Sequence, residues 1–172
     1  WSADLLASYM PFKILDMVTA AKPDVFLMLG DATYANHPKN DPATDLAGFR
    51  RKHREVRKSP ELQKLLASTS TVGVWDDHDC TNDTDRTFPL MGPARQAFKE
   101  YWPVRAAEGA GDSMYRSFSW GSLVDTFVMD CRTFRDPKTD PNKPGKTMLG
   151  AAQKQWLKDA MKASAAPHKL VI

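Results

Sequence analysis

VGVWDDHDCTNDTD, Val72–Asp85, is the stretch whose reading decides the fold. The apolar run Thr71–Trp75 has the length and composition of a buried strand. It stops in Asp76, Asp77, His78 and Asp79, with Asn82, Asp83 and Asp85 close behind. Carboxylates this close repel one another unless a proton or a cation lies between them. Asp, Asn and His side chains all ligate metals, so a cation is the preferred reading. A solvated acidic turn is the competing one. An EF-hand fails on spacing: counting from Asp77, Asn82 stands where that loop needs Gly and Phe88 where it needs Glu. A structural zinc site fails too, because Cys80 is the only nearby thiol and the chain has no Cys-x-x-Cys pair.

Upstream, DVFLML at Asp24–Leu29 is a second continuous apolar run, bounded by Pro23 and Gly30. That pattern predicts a strand buried on both faces, as in a parallel sheet under helices. It ends in Gly30-Asp31, with Tyr34 and Asn36 following. Gly-Asp alone is an ordinary turn. Two apolar strands that both finish in ligand-type residues point to a shared site. The order helix, strand, loop, helix, strand, loop implies an α/β sheet, and such sheets bind ligands beyond the carboxyl ends of their strands.

Helices are expected around this pair. Leu5–Ala21 carries three-to-four spacing, with Pro11 marking the first turn of the helix proper. Thr44–Lys58 has Leu46, Phe49, His53 and Val56 on one stripe, and Arg50, Arg51, Lys52, Arg54, Arg57 and Lys58 on the other faces. With Glu55 among them and no interleaved aromatics, these cations read as a solvated face rather than a nucleic-acid surface. His53 reads as a packed histidine. Ser59-Pro60 is an N-cap with Pro at the first position of a helix running through Ala67.

Downstream of the acidic loop, Pro93–Trp102 reads as a helix and Gly109–Asp112 as a turn. Ser113–Trp120 and Ser122–Asp130 read as a hairpin around Gly121. The second strand ends in Asp130, followed by Arg132 and Arg135. Their planar forks suit a phosphoryl group, and an Arg–Asp pair ordering the loop is the alternative. His37–Ala43 and Asp136–Lys146 read as loops. Thr147–Ser164 carries a helix with Trp156, Leu157, Ala160 and Met161 inward, and Leu170–Ile172 opens a further strand.

At 172 residues, 42% hydrophobic and 26% charged, the chain can build one domain with a sizeable core. A net charge of +3 gives no electrostatic case for nucleic acid. No apolar run approaches the ~20 residues of a membrane span. Two cysteines are too few for a disulfide scaffold. No leader is visible, since Asp4, Lys13 and Asp16 interrupt the first residues. The chain opens on Trp1 and closes on what reads as the start of a strand. The expectation is an internal piece of a longer protein, so the missing leader says little about location.

With these residues in view, the chain resembles the PhoD-like alkaline phosphatase/phosphodiesterase branch of the metallophosphoesterases. PDVFLMLGDATYAN at Pro23–Asn36 resembles that family's strand-GD-x-x-Y-x-D segment. VWDDHDCTNDTD at Val74–Asp85 resembles its WDDHD-x-x-x-ND block. FVMDCRTFRDP at Phe127–Pro137 is similar to its LD-x-R-x-x-R strand end, and KTMLGAAQKQWL at Lys146–Leu157 to its LG-x-x-Q-x-x-WL helix start. The resemblance implies an α/β fold, a β-sandwich flanked by helices in four layers, with residues 1–172 as one partial catalytic domain. It implies hydrolysis of a small-molecule phosphoester by a metal-activated water, with two or more metal ions, Fe3+ and Ca2+. Carried over by residue, Asp31 is the bridging metal ligand, Tyr34 a phenolate ligand to the ferric ion, and Asp77 a ligand to the second metal. His78 is the catalytic group at the transition state. Asn82 is a site-lining residue on the substrate side, which Arg132 and Arg135 join from the reading of their planar forks above. Asn36 departs from the pattern, standing where the family more often has an acid. Further ligands are expected before Trp1 and after Ile172, and the location implied is extracytoplasmic. Two rival readings stay beside this one: a non-catalytic binding module of the same fold, and a structural calcium-binding domain.

Overall fold

The computed structural model describes residues 1–105 and 113–172. The turn expected at Gly109–Asp112 lies outside the described residues. The chain forms two compact units, Trp1–Thr84 with Phe88–Pro103, and Asp85–Thr87 with Val104–Ile172. Among the described residues no helix is long and apolar enough to cross a membrane.

The first unit is built on two parallel strands, β1 (Val25–Leu29) and β2 (Ser70–Val74), paired from Val25↔Ser70 to Leu29↔Val74. Parallel neighbours need a crossover, and helices α2 (Leu46–Val56) and α3 (Pro60–Ser68) supply it. Both expected caps are present. Asp45 accepts from the Gly48 N–H, and Ser59 from the Leu62 N–H with Pro60 opening the helix. The sequence reading of β1 as buried on both faces is corrected. Phe26 and Met28 are buried, while Val25, Leu27 and Leu29 alternate with them as half-buried residues. The chain before β1 also departs from its reading. Only Ile14–Ala20 (α1) is α-helical, with a single 3-10 turn at Ala7–Tyr9. Pro11 therefore precedes the helix and is not in its first turn. Further back, Ser2 bridges to Met28 on the free side of β1.

The core of this unit is drawn from β1, α2, α3 and α4 (Met91–Tyr101), with Phe26, Phe49, Leu62, Leu65 and Phe98 fully buried. Trp75, Phe98 and Trp102 form an aromatic row with ring centroids 6.2 and 6.0 Å apart. Gly73 interrupts an otherwise branched strand because a Cβ there would lie 2.8 Å from the Trp102 ring. On α2, Phe49, His53 and Val56 are buried as the stripe predicts. Lys52, read as part of the polar face, is also buried, at 1% exposure. Its ammonium donates to the His37 carbonyl at 2.5 Å and lies 3.5 Å from Asp41 and 3.6 Å from Glu55. A buried charge needs such partners.

In the second unit, β3 (Arg116–Trp120) and β4 (Val124–Val128) pair antiparallel around Gly121, and β5 (His168–Val171) joins β4 in parallel. Helix α5 (Gly150–Ala163) follows the loop 136–147. Trp156 packs against Tyr115 and Phe127, at 4.8 and 6.5 Å between centroids. Trp156, Leu157, Ala160 and Met161 are nonetheless only half-buried; the fully buried residue of α5 is Gln153. Its amide accepts from the Asp130 N–H at 2.7 Å and donates to the Asp130 and Leu149 carbonyls at 2.9 and 3.0 Å.

Candidate metal centre

Because β1 and β2 are parallel neighbours in register, their carboxyl ends deliver two loops to the same place. Gly30 lets them approach. Its φ of +100° suits only glycine, and a Cβ there would lie 2.7 Å from the Asp76 Cβ. Asp79 then fastens the loops together. It is 1% exposed, and its two carboxylate oxygens accept from the Thr33 N–H at 3.0 Å and the Asp76 N–H at 2.9 Å. Burial pushes its carboxyl well above the ordinary value, against these donors. The Ala35 N–H donates to the His78 carbonyl at 2.8 Å, and the His78 N–H to Asp31 at 3.1 Å.

What this brings together is Asp31, Asp77 and His78, whose ligand atoms all lie within 4.8 Å of one another. Asp31 is buried, and its carboxyl is pushed up to about 6, first by burial and then by the neighbouring Asp77 charge. This is the repulsion that a cation would relieve. The Tyr34 ring stacks on His78 with centroids 4.4 Å apart, and His37 packs edge-on to Tyr34 at 5.6 Å. Burial, and then a hydrogen bond to Asp4, push the Tyr34 phenol up. His78 Nδ1 lies 2.8 Å from Asn36 Oδ1. The amide oxygen only accepts, so Nδ1 carries the hydrogen and Nε2 is the ring atom left for a ligand or substrate. Oxygen donors dominate the set, and among them the buried Cys80 contributes nothing. The set fits hard cations.

Two residues passed over by the sequence reading stand out here. Asn36, noted only as a departure, orients His78. Asp4, named only as a charge interrupting the first residues, takes the Tyr34 hydroxyl at 2.7 Å. Asn82 is exposed, and its amide donates to Asp83 at 3.3 Å. Arg132 and Arg135 belong to the second unit. There the carboxylate of Asp130 accepts from the backbone N–H groups of Arg132 and Thr133, at 3.2 and 3.0 Å. The loop is therefore turned by Asp130 on the backbone.

The fold and this pair of strand ends define an α/β protein with a candidate metal site where two parallel strands end. The chain belongs to the PhoD-like phosphatase family, whose profile matches residues 7–172. It is similar to alkaline phosphatase D of Bacillus subtilis (strain 168), with 29% identity over 145 residues, 70% of this chain and 25% of that protein. A solved structure described as "Structure of PhoD" matches with a TM-score of 0.84 at 24% identity, over 99% of this chain and 40% of the solved one. That likeness establishes the fold. The chain spans about a quarter of the curated relative's length.

Proposed function

We propose that this chain carries the Asp31–Asp77–His78 part of the metal centre of a phosphoester hydrolase. The observation that carries the reading is the gathering of those three ligand atoms within 4.8 Å at the ends of two parallel strands. Asp31, Tyr34 and Asp77 would hold the cations; iron and calcium are the ions that the resemblance suggests. Cations bound there would draw charge off the phosphoryl oxygens and make water a nucleophile near neutral pH. The protein's own part is positioning and proton handling. Asn36 fixes Nδ1–H of His78, so Nε2 is the atom that exchanges a proton with the leaving oxygen. A protonated His78 gives up that proton and returns neutral, with its bond to Asn36 unchanged.

The test uses the full-length protein, assayed for bound metal and for turnover of a chromogenic phosphodiester. Asp77→Ala should lose metal and turnover together. His78→Ala should keep its metal and lower kcat by about 10²–10⁴-fold, the usual worth of a positioned acid or base. Wild-type turnover in His78→Ala removes His78 from the chemistry. Metal without turnover in the wild type overturns the hydrolase reading in favour of a binding or structural-calcium domain.

A further inference from the structure

We infer that the second unit carries a binding site for a phosphate group, built around Arg135 from residues that the metal centre does not use. A cavity of about 240 Å³ is lined there by Arg135, Asp136, Lys138, Lys146, Thr147 and Met148. The backbone builds it. The Asp136 N–H donates to the Thr147 carbonyl at 2.8 Å, and the Thr147 N–H returns a bond to the Asp136 carboxylate at 2.8 Å, so the ends of the loop 136–147 close on each other. Within that loop the Lys146 ammonium donates to the carbonyls of Lys138 and Asp140, at 3.3 and 2.7 Å.

The charge on the lining is unbalanced. Three of its residues are cations and one is a carboxylate, and that carboxylate is already spent: one Asp136 oxygen takes the Thr147 N–H and the other lies 2.8 Å from Arg86 Nε. Arg135 is half-buried, and its guanidinium has no carboxylate partner among the described residues. Lys146 has given two of its three ammonium hydrogens to carbonyls, which leaves one for a ligand. Helix α5 begins just beyond Met148 with no acidic residue in its first turn and no side-chain cap from Leu149, so its positive end adds to the same field. The chemistry favours phosphate over carboxylate. A planar fork binds two oxygens of either, but only the tetrahedral group has further oxygens and a second charge to offer the ammonium.

The competing role is that of cations solvated on a surface loop. Calorimetric titration of the metal-stripped full-length protein separates the two, because bare carboxylates at the stripped centre repel phosphate. The probes are inorganic phosphate, methyl phosphate and, as a carboxylate control, acetate. Saturable binding of phosphate is expected. Arg135→Gln and Lys146→Gln should each weaken it about tenfold or more, the worth of one charge-assisted hydrogen bond, while Asp77→Ala should leave it unchanged. Lys146→Gln also removes two contacts that order the loop; Arg135→Gln removes none, so the decision rests on Arg135. Equal affinity for both phosphates assigns the site to the phosphate group of a larger ligand, and preference for inorganic phosphate assigns it to the free ion; either result supports the inference. No saturable binding, equal affinity for acetate, or unchanged affinity in Arg135→Gln would overturn it. The metal and turnover assays above read the other unit's centre independently, so either reading can fail while the other stands.

Discussion

Each unit has an apolar strand that ends in aspartate, and the two endings use their carboxylates differently. After β4, Asp130 is fully buried and turned onto the backbone N–H groups of Arg132 and Thr133, while Gln153 closes on its main chain. After β2, Asp79 is used in the same way, on Thr33 and Asp76. Its neighbours are not. Asp77 gives one oxygen to the Asp83 N–H, Asp31 one to the His78 N–H, and the two carboxylates are left facing each other's charge. Aspartate at a strand end is thus a turn-former by default. What marks the candidate site is a second carboxylate brought close to the first.

The largest effects that could break this comparison are on stability. Asp79→Ala and Asp130→Ala each strand two backbone donors, at about 1–3 kcal/mol per unsatisfied group. Denaturant unfolding of the metal-free full-length protein should show losses of that order in both variants. A loss no larger than that of Asp77→Ala would erase the distinction between fastening and ligating carboxylates.

A smaller effect of opposite sign is expected at Asp31. Its carboxyl is raised from 3.8 to about 6, so in the metal-free protein its stabilising share is complete below pH 3.8 and is lost as pH rises through 6. Asp31→Asn keeps an acceptor for the His78 N–H and removes the charge. The metal-free variant should be more stable than wild type at pH 7.5, by roughly 1–3 kcal/mol for a shift of this size, and equal to it near pH 3.5. A variant that is less stable at pH 7.5 would mean Asp31 is a fastener after all.

The smallest effect sharpens the contrast through a carboxylate far from the strand ends. The Ser59 hydroxyl at 2.7 Å and Lys13 at 2.9 Å hold Glu61 down from 4.5 to about 2. Its stabilising share is therefore complete above pH 4.5 and is lost as pH falls through 2, the reverse of Asp31. Glu61→Gln should flatten the acid limb of the stability curve below pH 4.5 and leave the limb between pH 4.5 and 6 unchanged. Urea midpoints across pH 2.5–7.5 measure both limbs in one series.

The strands, the caps and the carboxylate pair were legible in the sequence because each is a local pattern: apolar runs that stop in charge, and Ser-Pro or Asp before an apolar stripe. Asp4 was not legible. The three-to-four spacing of Leu6, Tyr9 or Met10, and Lys13 or Ile14 reads as helix, yet the chain before Ile14 makes only one 3-10 turn. Pro11 was the signal that the helix starts late. Lys52 and Gln153 were hidden for another reason. Each is a polar residue on a helix whose partner is a main-chain group distant in sequence, the His37 carbonyl or the backbone of Asp130. Periodicity ranks residues by apolarity and has no term for such a partner. Asn36 shows the limit of motif matching: the position was noticed as a mismatch, and its contact with His78 appears only in three dimensions.

Gly30 carries a consequence for ion choice. The two ligand-bearing loops touch where residue 30 has no side chain, with Asp76 against it. The gap between the jaws that hold Asp31 and Asp77 is set by that contact, as a shim of zero thickness sets the bite of a clamp. A methyl group inserted there would leave every ligand in place by identity and spread the jaws. For a cation held by the pair as proposed, the radius that fits would be set partly by a residue that offers no donor atom at all.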